Sequence, residues 1–176
     1  MSFGPQHPAA HGVLSCIVYL LNEYITGMDI IIGYLHRGTE KLLEFKTTPQ
    51  SLPYFDRLDY VSIVFNEHMF VLAFEAIMLY SIPLRVSVIR VCFLEITRVF
   101  NGLLAISCNI FDLGAMTPML WSFEERDKIM TFFDYVCGVR MHVSYICIGG
   151  ILEDLSPGLI DIVWNFDCEE FRGLNA

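Results

Sequence analysis

Two histidines four residues apart, His7 and His11, lie in the stretch Gly4-Pro5-Gln6-His7-Pro8-Ala9-Ala10-His11-Gly12. On a helix that spacing puts both imidazoles on one face, an arrangement suited to a metal ion. Pro8 can open a helix, yet Gly12 and the β-prone run behind it leave too little length for a stable turn. No third ligand of the usual zinc set lies nearby. In a loop bounded by glycine and proline, histidine can equally hold the chain together through backbone bonds. Six cysteines, at 16, 92, 108, 137, 147 and 168, contain no C-x-x-C pair. That argues against a zinc or iron–sulfur site built by this chain, so no metal is assigned. Reduced thiols in a non-secreted compartment fit better than disulfides.

The groups that could do chemistry must be carried by the elements around them. Residues 13–21 and 24–32 are apolar runs rich in β-branched and aromatic side chains, parted by the turn-prone Asn22-Glu23. They predict a hairpin. A polar connector with the charged string His36-Arg37-Gly38-Thr39-Glu40-Lys41 follows. Apolar residues then recur every three or four positions over 56–80, predicting a long helix that stops before Pro83. A second helix is expected over 85–111, closing at Gly114 with Pro118 just beyond. Ser122-Phe123-Glu124-Glu125 has the form of a capping box and is expected to start a third helix ending near Gly138. Beyond Gly149-Gly150 the pattern weakens, with a last helix-like stretch near 159–166. The fold class is therefore α+β: a small N-terminal antiparallel sheet packed on a bundle of long helices, incomplete without a C-terminal partner chain. The expected parts are 1–55 (hairpin and opening loop), 56–145 (helical bundle) and 146–176 (C-terminal extension).

At 176 residues the chain has room for one well-filled core. Its net charge of −9 repels phosphate backbones, so nucleic acid is a poor partner. Hydrophobic residues make up 55%, with fourteen Phe and eight Tyr, more than a free domain of this size needs. The surplus must meet partners or membrane. A spanning helix needs about 20 largely uncharged apolar residues. Asn66, Glu67, His68 and Glu75 interrupt one candidate, and Arg90, Glu95, Arg98 and Asn101 the other. Both are expected to be buried in protein instead, with Glu95 and Arg98 forming a structural ion pair. The chain opens on Met1-Ser2-Phe3 and enters the Gly-Pro motif at once, so no targeting peptide is expected, the protein being made where it works or trimmed.

The opening motif is joined by Gly33-Tyr34-Leu35-His36-Arg37-Gly38-Thr39-Glu40-Lys41, by Leu52-Pro53-Tyr54-Phe55-Asp56-Arg57-Leu58-Asp59-Tyr60-Val61-Ser62 and by Asn66-Glu67-His68. Further along stand Glu95-Ile96-Thr97-Arg98, Asp112-Leu113-Gly114-Ala115-Met116-Thr117-Pro118, Phe123-Glu124-Glu125-Arg126 and Gly138-Val139-Arg140-Met141-His142. In order and spacing these blocks resemble NADH dehydrogenase subunit 7, the quinone-site subunit of respiratory complex I, over nearly all of residues 3–155. The resemblance implies that a ubiquinone headgroup, as substrate, is held between His11 and Tyr60. Quinone reduction takes two electrons and two protons, so each carbonyl oxygen needs a donor. Asp112 matches the aspartate that orients the headgroup histidine, with His7 as a support. Without the family, Tyr60 would read as an ordinary half-buried tyrosine and Asp112 as a turn cap.

The resemblance further implies that the terminal tetranuclear iron–sulfur cluster sits in a neighbouring subunit, against Arg37, Arg57 and His142, where positive charge and N–H donors raise its potential. No cofactor is ligated by this chain. Implied partners are the cluster-bearing subunit, the peripheral-arm subunit 9 and the membrane-arm subunit 1. A more distant likeness to the large subunit of nickel–iron hydrogenases predicts two C-x-x-C motifs that this sequence lacks, which rejects hydrogenase activity. Gly102, Asn109 and Cys147-Ile148 depart from the family pattern, putting packing or partner contacts in doubt rather than the reaction. Relatives continue well past this chain, so a separate chain carrying the C-terminal half is expected. The setting implied is the matrix face of the mitochondrial inner membrane, or the cytoplasmic face of a bacterial membrane. The alternative to an oxidoreductase component is a truncated copy kept for assembly or scaffolding.

Overall fold

The computed structural model describes residues 1–7, 10–156 and 158–159. Three strands, β1 (Ser2–Phe3), β2 (Ser15–Leu21) and β3 (Tyr24–Ile31), form an antiparallel sheet in that order. β2 and β3 are the expected hairpin, with Cys16 opposite Ile30 and Val18 opposite Met28. Asn22 takes φ 57°, the left-handed conformation a two-residue hairpin turn needs and asparagine tolerates. β1 was not expected; it sets Phe3 opposite Cys16 and so closes the opening loop at its base. The sheet is buried only at Ser15 and Cys16, while β3 is exposed along almost its whole length.

Two short helices follow, α1 (Thr39–Leu43) and α2 (Thr48–Asp56). Thr47 and Gln50 form a capping box at the head of α2, and Pro49 lies in its first turn, where a missing N–H costs nothing. The expected helix over 56–80 is corrected here: α3 runs Ile63–Met78, and Asp59–Ser62 bends instead. The carboxylate of Asp59 accepts the Val61 N–H at 3.1 Å, and Asn66 Nδ2 donates to the Asp59 carbonyl at 3.2 Å. These local bonds compete with helix and delay its start.

α4 (Leu84–Asp112) matches expectation, with Ile89, Phe93, Thr97, Phe100 and Ser107 buried on one 3.6-period stripe. By length and composition alone α4 is long and apolar enough to cross a membrane, contrary to the expectation that its charges rule this out. Those charges are placed rather than stray. Arg90 is buried, and Arg98 pairs with Glu95 on the exposed side. α5 (Met116–Cys137) begins six residues before the expected capping box. Pro118 falls in its first turn and permits the early start. Ser122 is interior, its hydroxyl donating to the Pro118 carbonyl, and Glu125 pairs with Lys128. Gly138, at φ 71°, ends the helix as expected.

A second, unexpected hairpin, β4 (Ile146–Cys147) with β5 (Gly150–Ile151), turns over Gly149 at φ 85°. Residues Val143, Tyr145 and Ile146 enter the core formed by α3, α4 and α5, where Phe93 stacks on Tyr145 at 4.3 Å. The hairpin is pinned by Arg90, whose guanidinium donates to both oxygens of Glu75 at 2.8 and 2.9 Å and to the carbonyls of Cys147 and Gly150. Glu75 Oε1 also accepts the Gly149 N–H at 2.8 Å. Most of the stretch expected to be helix-like near 159–166, like Pro8 and Ala9 of the opening loop, lies outside the described residues.

Candidate functional site

The opening loop folds on its own backbone: Ala10 N–H donates to the His7 carbonyl, and Val13 and Leu14 N–H groups donate to that of Ala10. Gly4 stands where a Cβ would lie 2.0 Å from the Leu14 carbonyl oxygen, so only glycine fits. His11 and Gly12 follow one another in the left-handed region, at φ 51° and 73°. This turn sends the His11 imidazole toward Tyr60, and the two rings meet edge to face with centroids 6.0 Å apart. Tyr60 comes from the bend before α3, not from a helix turn as expected.

Beside the pair opens a cavity of about 350 Å³ lined by His11, Val13, Asp59, Tyr60, Val61 and, from α4, Asn101, Leu104, Ala105 and Cys108. Asn101 Nδ2 donates to the Ser62 hydroxyl at 2.6 Å, tying α4 to the bend that carries Tyr60. Burial, and then the Asp59 carboxylate, push the Tyr60 phenol above its ordinary value. It therefore stays a neutral O–H donor at physiological pH. Asp112, at the end of α4, faces the other histidine: its Oδ1 lies 3.5 Å from His7 Nε2. The His7 ring also packs on Phe3 at 4.4 Å. Asp112 thus faces His7 rather than His11, the histidine it was expected to orient.

The second set of expected residues also converges. Arg37 donates to the Arg57 carbonyl at 2.7 Å, Arg57 donates to the Pro53 carbonyl at 2.7 Å, and His142 Nδ1 lies 3.6 Å from Asp56 Oδ2. All three therefore gather at the C-terminal end of α2. Asp56 itself, wholly buried, was missed although it stands between quoted motif residues. Glu67, also wholly buried, stands in the quoted Asn66-Glu67-His68 block and interrupts a candidate span, but its burial was not expected. No group of three or more His, Cys, Asp or Glu fit to hold a metal occurs among the described residues. Of the departures, Gly102 leaves open space around a Cβ, and Cys147 is held through its carbonyl rather than its side chain.

Residues 112–173 match the family model described as the respiratory-chain NADH dehydrogenase, 49 Kd subunit. The NADH-ubiquinone oxidoreductase 49 kDa subunit homolog of Trypanosoma brucei brucei is 57% identical over 162 residues, 92% of this chain and 42% of that protein. The NADH-ubiquinone oxidoreductase 49 kDa subunit of Pylaiella littoralis is 55% identical over 94% of this chain and 42% of its own length. An NADH-quinone oxidoreductase subunit from Beijerinckia indica is 51% identical over 97% of this chain and 43% of its own length. The chain thus spans about two fifths of the length of the relatives it matches. Over nearly its whole length it is covered by homologues from the 49 kDa subunit family of complex I.

Proposed function

We propose that this chain acts as a core subunit of an NADH–ubiquinone oxidoreductase, its subunit 7, and supplies part of the quinone-reduction site. The observation that carries this reading is the meeting of His11 and Tyr60 beside a cavity of about 350 Å³. Reducing ubiquinone to the quinol adds two electrons and two protons. The Tyr60 hydroxyl and the His11 imidazole are the donors to the headgroup oxygens as negative charge develops there. Asp112 holds His7, and through it the loop that presents His11. The apolar α4 wall limits water around the reacting oxygens.

The electrons come from a tetranuclear iron–sulfur cluster in a neighbouring subunit. Arg37, Arg57 and His142 bring N–H groups to one place, which suits the edge of an anionic, thiolate-ligated cluster and would raise its potential. Partners are the cluster-bearing subunit, the peripheral-arm subunit 9 and the membrane-arm subunit 1. The energy released drives proton translocation in the membrane subunits. The setting is the matrix-facing arm at the mitochondrial inner membrane, or its bacterial counterpart.

Tyr60→Phe in the assembled complex tests the site. It removes one donor without removing the ring, and quinone reduction is expected to fall roughly a hundredfold. Reduction of the cluster by NADH should stay intact. Quinone reduction at the wild-type rate would remove Tyr60 from this role.

A further inference from the structure

One carboxylate of α3 has no task in quinone binding. Glu67 is 0% exposed, as is Asp56 at the end of α2. Glu67 Oε2 accepts the Ile146 N–H at 3.1 Å, and the Ser144 and Tyr145 N–H groups also act on this carboxyl. Its Oε1 has no hydrogen-bond partner among the described residues. Neither oxygen of Asp56 has one either; His142 Nδ1 stands 3.6 Å away, itself without a hydrogen bond. The nearby cations are engaged elsewhere, Arg57 with the Pro53 carbonyl and Arg90 with Glu75. Cys137 on α5 and Cys147 on β4 also face this region, as does Glu153 beyond β5 through Cys137. Burial foremost keeps both thiols protonated.

Two carboxyl groups removed from water, and close enough to feel one another's charge, do not both ionise. We propose that Asp56 and Glu67 form a buried acid pair holding one proton, carried on Glu67 at neutral pH, with Asp56 as the carboxylate that faces His142. A neutral Glu67 still accepts the backbone N–H groups through Oε2 and leaves Oε1 to bear the proton. Its grip on 144–146 also makes Glu67 a positioning residue for His142, two residues upstream of that segment. Electrostatics agree in direction. Burial, then the Asp56 charge, push Glu67 up to about 8 against the pull of the three N–H groups. Burial raises Asp56 too, although His142 and Arg57 draw it down. The proposal stands on the complete burial of both carboxyls and on their unpartnered oxygens, and does not depend on the quinone assignment.

The test is pH-dependent infrared difference spectroscopy on the full chain in the assembly it purifies with, wild type minus Glu67→Gln. A protonated-carboxyl C=O band is expected at neutral pH, disappearing with a midpoint of about 8. In Asp56→Asn the band should titrate at lower pH, because the charge that raises Glu67 is gone. Stability gives a second readout. Glu67 titrates higher folded than unfolded, so its contribution is complete below the ordinary glutamate range and is lost as pH rises toward about 8. Glu67→Gln should abolish that slope. No Glu67-dependent band at neutral pH, or an unchanged midpoint in Asp56→Asn, overturns the proposal. Should Glu67→Gln fail to accumulate, the Asp56→Asn comparison decides alone.

Discussion

Gly4 and Gly12 bracket the histidine loop, and their surroundings separate two ways in which a side chain can be refused. Both have positive φ, 78° and 73°, but a Cβ at Gly4 would meet the Leu14 carbonyl at 2.0 Å whereas one at Gly12 meets nothing within 4 Å. Gly12→Ala should therefore cost only the left-handed strain of roughly 1–2 kcal/mol. Gly4→Ala should cost more and move the loop, because a backbone oxygen has no rotamer to give. Thermal denaturation of the two variants side by side checks the order; equal costs would mean that the close approach is not maintained. That this segment turns instead of forming a helix was legible in the run of glycine, proline and histidine. Which histidine meets which partner was not. That depends on the left-handed turn at His11 and Gly12, which sends one ring to Tyr60 and leaves the other to Asp112. The complete burial of Asp56 and Glu67 was illegible because it arises only once α2 and α3 are packed.

Helix boundaries were read well where a strong terminator stood and badly where a polar signal had two meanings. α3 stops before Pro83 and Gly138 ends α5, as expected. Ser122 and Glu125 looked like a cap, yet the same residues are comfortable inside a helix, bonding to Pro118 and Lys128. The small β4–β5 hairpin was missed because its four strand residues carry no periodicity, and what holds it is a buried ion pair on two helices. Burial would raise the Glu75 carboxyl, but the Arg90 and Gly149 hydrogen bonds and the Arg90 charge hold it below the usual range. Its contribution is therefore present above that range and lost as pH falls. Arg90→Met strips the cation from a carboxylate only 4% exposed and should destabilise by roughly 3–5 kcal/mol. Adding Glu75→Gln removes the stranded charge while keeping an acceptor for the Gly149 N–H. Urea denaturation should find the double variant more stable than Arg90→Met alone; the reverse order would show that the charge itself is not what the fold must neutralise.

At the scale of the molecule, the α+β class was legible because strand-forming runs precede the helical ones without alternation. The excess of apolar residues was legible too, and the structure shows where it goes. β3 exposes Tyr24, Ile25, Met28, Ile30 and Ile31, while α3 exposes Met69, Leu72, Ile77 and Met78, and α4 exposes Val88, Val91 and Ile106. Together these surfaces exceed what a monomer ordinarily leaves to water. The chain spans only about two fifths of its relatives' length. The net charge of −9 would keep the polar remainder soluble without hiding any of these faces. Isolation under mild detergent is therefore expected to bring the chain out with iron–sulfur subunits. If the iron–sulfur subunits appear but the assembly does not reduce quinone, the chain is an assembly or scaffold piece. Recovery of the chain alone, dispersed and monomeric, would sink the complex I reading altogether, because these apolar faces would then be stable in water without a partner.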